Sequence, residues 1–301
     1  MEVKNYSMEW GGRTLSVEMG RLALQANASC TVRYGDTVIL ATVVMSNKTR
    51  DGIDFFPLMV NFEEKLYAAG KIKGSRFIKR EGRPSEEAIL SGRVVDRAIR
   101  PLFDDKMRND VQVILTALAV DGENDSQVPA MVAASIVLAV SDIPWAGPIG
   151  GARVGRIDGK WVLNPNFAQR ETGDVDIIVA GNSDKVIMVE AECKETPDEE
   201  VVGALRFGLA QMEPVVGFIK KIQKEAGKEK IDMEKIADEK ELDLRKLEKE
   251  ARKFIAGHVE DRIFDKPKKS RAERVKMVDK FSDEIKKMLE EKKADENHIT
   301  I

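Results

Sequence analysis

A short glycine-punctuated segment, residues 71–80, is rich in lysine and arginine and contains an aromatic side chain. Its candidate nucleic-acid contacts are Phe77, Ile78, Lys79 and Arg80. Cationic side chains neutralise phosphates, and a phenylalanine ring offers a face on which an unpaired base can stack. The combination predicts a binding site for a polyanion that carries stackable bases.

A helix with a stripe of arginines is predicted directly after this segment. Pro84 and Ser85 suit a helix start, and two glutamates follow where the helix dipole favours negative charge. One side of the helix carries the apolar residues Leu90, Val94, Val95, Ala98 and Ile99, and the other side carries Arg93, Arg97 and Arg100. These arginines and Arg83 are either nucleic-acid contacts or ion-pair partners of Glu81, Glu86 and Asp96.

A second set of charged residues alternates along two predicted strands. Asp174 and Asp176 start one strand, and Glu190, Glu192 and Lys194 lie on the next. If the strands pair, their carboxylates give the all-oxygen environment that Mg²⁺ favours. Alternating acids are also common on exposed antiparallel strands, and we favour that interpretation. No metal site is therefore predicted, and Asp174, Asp176 and Glu192 are the candidates if there is one.

The hydrophobic pattern predicts the elements that must hold these residues. Strands are expected at 15–19, 28–34, 37–45, 55–62 and 110–120, and a buried helix at 128–141. After a proline- and glycine-rich break, hairpins at 152–163 and 174–193 precede a long helix from 197 towards 222, which buries Val202, Leu205, Leu209 and Met212. This pattern predicts an α/β (α+β) core of two mixed sheets with helices.

The composition changes to lysine, glutamate and aspartate from about residue 220. Two apolar sets at helical spacing, within 236–254 and 278–289, predict a small all-helical domain. The expected domains are residues 1–145 and 146–225, as the two halves of the core, and the helical residues 226–301.

Composition limits the possible chemistry. The chain has 301 residues and a net charge of −3, so any nucleic-acid binding must come from local basic patches. Both histidines, His258 and His298, lie in the charged tail, which argues against histidine-centred catalysis. Cys30 and Cys193 are expected to be reduced thiols. No apolar run has the length of a membrane span, so we expect a cytoplasmic protein without a membrane partner.

Six stretches of the chain resemble the polynucleotide phosphorylase family. They are GDTVILATV (35–43), YAAGKIKGS (67–75), FIKREGRPSE (77–86), DRAIRPLF (96–103), GPIGGARVG (147–155) and VLNP (162–165). The resemblance implies an RNase PH-like core and phosphorolysis of single-stranded RNA, not DNA, from its 3′ end. It also implies Mg²⁺, inorganic phosphate as co-substrate, and a homotrimer whose central channel is lined by the loop matching Phe77–Arg80. Ile78 departs from the aromatic residue often found there.

The resemblance further predicts that this core is catalytically silent. Active cores of the family carry a hydroxyl-rich phosphate turn, whereas residues 122–129 offer Ser126 as the one hydroxyl beside Glu123 and Asp125. No catalytic residue is therefore assigned, and a second core and C-terminal RNA-binding modules are expected outside this chain. The alternatives are a stand-alone RNase PH-type enzyme that trims tRNA 3′ ends, and a non-enzymatic RNA-binding or assembly subunit.

Overall fold

A six-stranded sheet forms the first half of the core, in a computed structural model that describes residues 2–49, 52–72, 74, 82–232, 239–264 and 270–291. Its strands are β1 (Lys4–Trp10), β2 (Arg13–Met19), β3 (Ala28–Tyr34), β4 (Thr37–Thr49), β5 (Leu58–Glu64) and β6 (Asn109–Ala119). They lie in the order β1–β2–β3–β4–β6–β5, with β5 parallel to β6 and the other pairs antiparallel. The predicted strand at 55–62 begins only at Leu58, after Pro57, which has no N–H for a ladder.

Two helices, α1 (Glu86–Ile99) and α2 (Gln127–Val140), pack on this sheet. Strand β4 buries every second residue over most of its length, as a strand with one covered face does. Helix α2 contacts β3, β4 and β6, and it is buried almost all round because its residues are nearly all apolar. The predicted buried helix at 128–141 is thereby confirmed.

Helix α1 begins where the sequence predicts it. The Ser85 hydroxyl is its N-cap and accepts a hydrogen bond from the Ala88 N–H at 3.0 Å. Gly92 lets the helix approach β5 closely, because a Cβ at this position would lie 3.2 Å from the Val60 carbonyl oxygen. The apolar side of the helix is buried except for Leu90, which is exposed because it borders an open cleft.

A four-stranded antiparallel sheet forms the second half of the core. Its strands are β7 (Gly150–Ile157), β8 (Lys160–Leu163), β9 (Val175–Gly181) and β10 (Val186–Cys193), in the order β10–β9–β7–β8. Helix α3 (Phe167–Thr172) connects β8 to β9, and α4 (Asp198–Ala226) packs on β7 and β9. Because α2 also contacts β7 and α4, it is shared by both halves of the core.

Helix α4 meets the sheet through a small residue. A Cβ on Gly208 would lie 2.4 Å from Val179 Cγ1, so only glycine allows this approach. The buried face of the helix runs from Ala204 to Ile222. The prediction that Val202 is buried is wrong, because at 100° per residue Val202 lies to the side of the face formed by Ala204, Gly208 and Met212.

A short strap, residues 227–231, leaves α4 and is tied to the C-terminal end of α2. The Lys230 ammonium group donates to the carbonyl oxygens of Leu138 and Ser141, at 2.6 and 2.7 Å. Burial disfavours the charged amine and outweighs the attraction of Asp142, so the pKa of Lys230 falls to about 8.

The chain divides into two compact units, Met1–Ile231 and Asp232–Ile301. The second unit contains α5 (Glu239–Ile263) and α6 (Arg271–Glu291). Phe281, Ile285 and Leu289 form its core and pack against residues that include Leu247 and Phe254. Val278, predicted to belong to this apolar stripe, is about half exposed. Among the described residues, no helix is long and apolar enough to cross a membrane.

Candidate functional site

The structure describes the elements before and after the basic segment. The candidates Phe77, Ile78, Lys79 and Arg80 themselves lie outside the described residues. On the entry side, Leu66–Ala69 forms a short 3-10 helix, and on the exit side Ser85 caps α1. The Ser85 hydroxyl donates to the Glu64 carboxylate at 2.7 Å, so both ends of the loop are held together beside the end of β5.

Two of the predicted arginines are engaged within the chain. Arg97 donates to the Glu190 carboxylate and, at 2.9 Å, to the Val189 carbonyl oxygen, which links α1 to β10. Arg100 makes two hydrogen bonds to Asp96 on its own helix, at 2.6 and 3.0 Å. Both guanidinium groups therefore contribute to the internal structure of the core.

Arg83 and Arg93 have a different environment. Both are exposed, and neither forms an ion pair within the part of the chain that the structure describes. Arg93 borders a cavity of about 330 Å³ between α1 and β10, opposite Glu190 and Glu192. A phosphate can bind these two arginines without breaking any ion pair among the described residues.

A larger cleft of about 920 Å³ opens between α1, the start of α2, α3 and the strands β9 and β10. Acidic side chains outnumber basic ones on its walls. The acids are Glu64, Glu87, Asp125, Glu171, Asp174, Asp176 and Glu192, and the bases are Arg153, Arg170 and Lys194. The negative balance disfavours an anionic ligand such as phosphate.

Arg153 lies at the floor of this cleft and is 5% exposed. Its Nη1 donates to both carboxylate oxygens of Asp176, at 2.9 and 2.8 Å, and its Nη2 donates to Gln127 Oε1 at 2.8 Å. Its Nε forms an ion pair with Asp125 Oδ2 at 2.8 Å. Arg170 donates to the same Asp176 at 2.8 Å. Arg153 and Arg170 are thus both paired with acidic side chains of the cleft.

The candidate metal ligands Asp174, Asp176 and Glu192 lie near one another, and arginines bind two of the three. The register of β9 and β10 places Glu192 opposite Asp176, which two arginines already hold. Asp174 accepts hydrogen bonds from Arg156, and these lower the pKa of the Asp174 carboxyl. In the described ranges, no three acidic, histidine or cysteine side chains converge as metal ligands. Since arginines already bind the carboxylates of Asp176 and Asp174, these residues do not fit Mg²⁺, which needs free carboxylate oxygens.

Asp121 holds the turn that precedes α2. Its Oδ1 accepts hydrogen bonds from the N–H groups of Glu123 and Asn124, at 2.9 and 2.7 Å, and its Oδ2 accepts one from the Asp36 N–H at 3.1 Å. Burial alone raises the pKa of Asp121, but these hydrogen bonds outweigh it and lower the value to about 2. Gly35, with φ +60°, completes the contact, because a Cβ there would lie 2.5 Å from Asn124 Nδ2.

Sequence reasoning missed Arg153, Arg170 and Asp121. One signal for Arg153 was present, because it is a charged residue inside the otherwise small and apolar run GGARVG, and a buried charge requires a partner. The identity of its partners depends on the register of β7 with β9 and on the turn before α2. Those relationships are not visible in a linear pattern.

Two sheets that share one buried helix, with a cleft between the two halves, define an RNase PH type of core. The sequence profile of the 3′ exoribonuclease family matches residues 11–144 as domain 1 and residues 147–211 as domain 2. The chain belongs to this family. The crystal structure of rice (Oryza sativa) Rrp46 superposes with a TM-score of 0.55, over 73% of this chain and 94% of that one. At 16% sequence identity, this similarity shows the shared fold.

Curated relatives are named polyribonucleotide nucleotidyltransferase. The protein of Heliobacterium modesticaldum is 47% identical over 86% of this chain and 35% of its own length. The protein of Halalkalibacterium halodurans is 50% identical over 77% of this chain and 33% of its own length. The protein of Shouchella clausii is 44% identical over 96% of this chain and 41% of its own length. The predicted resemblance and fold class are confirmed, and the chain spans about a third of the length of these relatives.

Proposed function

We propose that this chain is the N-terminal, RNA-gripping portion of a polynucleotide phosphorylase. The complete enzyme degrades single-stranded RNA from its 3′ end with inorganic phosphate and releases nucleoside diphosphates, as a step in mRNA turnover. The observation that carries this proposal is the match to polyribonucleotide nucleotidyltransferases at 44–50% identity across both RNase PH domains.

The proposed RNA-binding surface combines the basic loop with two arginines, Arg83 and Arg93, that form no ion pair with the described residues. Phe77, Ile78, Lys79 and Arg80 supply cations and an aromatic face, and Arg83 and Arg93 add exposed guanidinium groups. Arg97 and Arg100 take part mainly by holding α1 in place, because their guanidinium groups already bind Glu190 and Asp96.

The first core is proposed to be catalytically silent. Phosphorolysis requires a site that accepts phosphate, whereas the cleft carries an excess of acidic side chains and its arginines are bound to Asp125 and Asp176. Ser126 is a wall residue, but the neighbouring Asp125 repels an anion. Phosphate and Mg²⁺ therefore bind the complete enzyme outside this chain.

The remaining features of the proposal concern the whole protein. We expect residues 1–145 and 146–225 to act as one core, joined by the helical residues 226–301 to a second core. The assembly is a homotrimer that threads single-stranded RNA through its centre, and its location is the cytoplasm, where mRNA is degraded. The basic loop, with its ends held at the Glu64–Ser85 hydrogen bond, faces the threaded strand.

Catalytic silence is tested by incubating the 301-residue chain with oligoadenylate, inorganic phosphate and Mg²⁺. The full-length Heliobacterium modesticaldum relative serves as the positive control. We expect ADP from the control and none above background from this chain. Release of ADP by the chain would overturn the proposed silence.

RNA binding is tested with fluorescent oligoadenylate and the double variant Lys79→Ala/Arg80→Ala. Lys276→Ala/Lys280→Ala, which removes the same charge from exposed positions of α6, is the matched control. We expect weakened binding in the loop variant and unchanged binding in the control. Unchanged RNA affinity with lost self-association in the loop variant would point to an assembly role instead.

A further inference from the structure

An exposed aromatic residue lies at the base of the basic loop. Tyr67 is 58% exposed and belongs to the 3-10 helix Leu66–Ala69, which the chain enters directly after β5. Its neighbours Leu66 and Ile72 are also exposed, at 43% and 95%. Three large apolar side chains are thus exposed within seven residues of the chain.

The backbone that carries Tyr67 is held firmly. The Ala68 N–H donates to the Lys65 carbonyl at 2.9 Å, and the Ala68 carbonyl accepts from the Val120 N–H at 3.0 Å. The Ala68 side chain is buried, and Gly70 ends the short helix with φ +67°. The Tyr67 ring is therefore presented from a fixed position, and little side-chain freedom is lost when a ligand stacks on it.

The position of Tyr67 relative to the loop follows from one hydrogen bond. Ser85 on the exit side is bonded to Glu64 on the entry side, three residues before Tyr67. The exposed Lys71 follows four residues after Tyr67, so the described stem carries an aromatic ring and a cation.

We propose that Tyr67 is a base-stacking residue of the RNA-binding surface, which binds one unpaired base of single-stranded RNA at the foot of the loop. This inference rests on the proposed function and extends it to a residue outside the predicted set. The chemistry fits, because ring faces bind bases of any identity while neighbouring cations bind the phosphates. A protein partner would use the exposed apolar side chains but would have no need of the adjacent Lys71 cation.

The test compares variants of the full 301-residue chain in oligoadenylate binding. Tyr67→Phe keeps the ring and should bind as the unaltered chain does, whereas Tyr67→Ala should bind at least about five-fold more weakly, because stacking on one ring is worth at least that factor. Tyr67→Leu keeps apolar bulk without a ring and should lose as much as Tyr67→Ala. Phe264→Ala removes an exposed aromatic residue from the second unit and should change nothing.

A second ligand separates stacking from charge. An abasic ribose-phosphate oligomer has no base to stack, so Tyr67→Ala and the unaltered chain should bind it equally. Equal oligoadenylate binding by Tyr67→Ala and the unaltered chain would overturn this inference alone, as would lost self-association with intact RNA binding. Failure of the unaltered chain to bind oligoadenylate at all would overturn the proposed function and this inference with it.

Discussion

Arg153 and Asp176 are joined by two hydrogen bonds, from one guanidinium nitrogen to both carboxylate oxygens, at 2.9 and 2.8 Å. The pair links β7 to β9 at the floor of the cleft, and Gln127 and Asp125 bring the start of α2 into the same contact. One buried arginine thus connects the second sheet to the helix shared by both halves.

Replacing Asp176 should destabilise the first unit strongly. Asp176→Ala leaves Arg153 buried with one acidic partner fewer, and losing one member of a buried pair costs about 3 kcal/mol or more. Tryptophan fluorescence during urea unfolding measures this, because Trp10, Trp145 and Trp161 all belong to the first unit. Glu192→Ala, on the residue opposite in the ladder, is the control and should change the free energy of unfolding by less than about 0.5 kcal/mol. Equal losses in both variants would contradict the assigned role of Asp176.

Stability should respond to alkaline pH through Lys230. Its pKa of about 8 in the folded chain lies below the ordinary value of 10.5, so the unfolded chain binds more protons between these values. Folding stability from this group therefore rises as the pH increases from about 8 to 10.5. Urea unfolding of the unaltered chain and of Lys230→Met over this range should show the difference growing in favour of the unaltered chain. Lys228→Met, at an exposed neighbouring position, is the matched control for the loss of a lysine from this strap.

Acid should lower the folding stability through Asp121. Its folded pKa of about 2 lies below the ordinary 3.8, so its stabilising contribution is present above pH 3.8 and is lost as the pH falls towards 2. Asp121→Asn removes the titrating group and should be less stable at neutral pH. The gap between the two proteins should close in acid, as measured by tryptophan fluorescence. A gap independent of pH would show that the carboxylate charge is not what holds the turn.

The two arginines Arg93 and Arg97 should differ in their effect on RNA binding. Each phosphate contact to a single strand contributes about 0.7 to the slope of log affinity against log salt concentration. Arg93→Ala should therefore lower that slope by about 0.7, whereas Arg97→Ala, which breaks the pair with Glu190, should leave the slope nearly unchanged. The measurement is oligoadenylate binding at several salt concentrations. A lowered slope for Arg97→Ala alone would reverse the assignment.

The sequence predicted helix starts and turns well where a single residue type favours them. The Ser85 cap and the following glutamates predicted the start of α1, and the Asp158–Gly159 turn predicted the β7–β8 hairpin. Predictions about the burial of two side chains were wrong. Leu90 and Val202 were assigned to buried faces by periodicity, but both are exposed, because they lie to the side of the residues that face the sheets.

The arginine network of the cleft could not be predicted in this way. Arg153 meets residues from the turn before α2 and from β9, which lie more than twenty residues away in opposite directions. Only the three-dimensional register decides which acid reaches which base. The sequence carries the charge, but not the identity of its partner.

The hydrogen bond between Glu64 and Ser85 joins the two ends of the basic loop at the edge of the core. On the entry side, Ala68 is also fixed, because its side chain is buried and its carbonyl oxygen accepts a hydrogen bond from the Val120 N–H. Exchange of the chain between Gly70 and Ser85, during evolution or by design, can therefore leave the geometry of β5 and of the first turn of α1 in place.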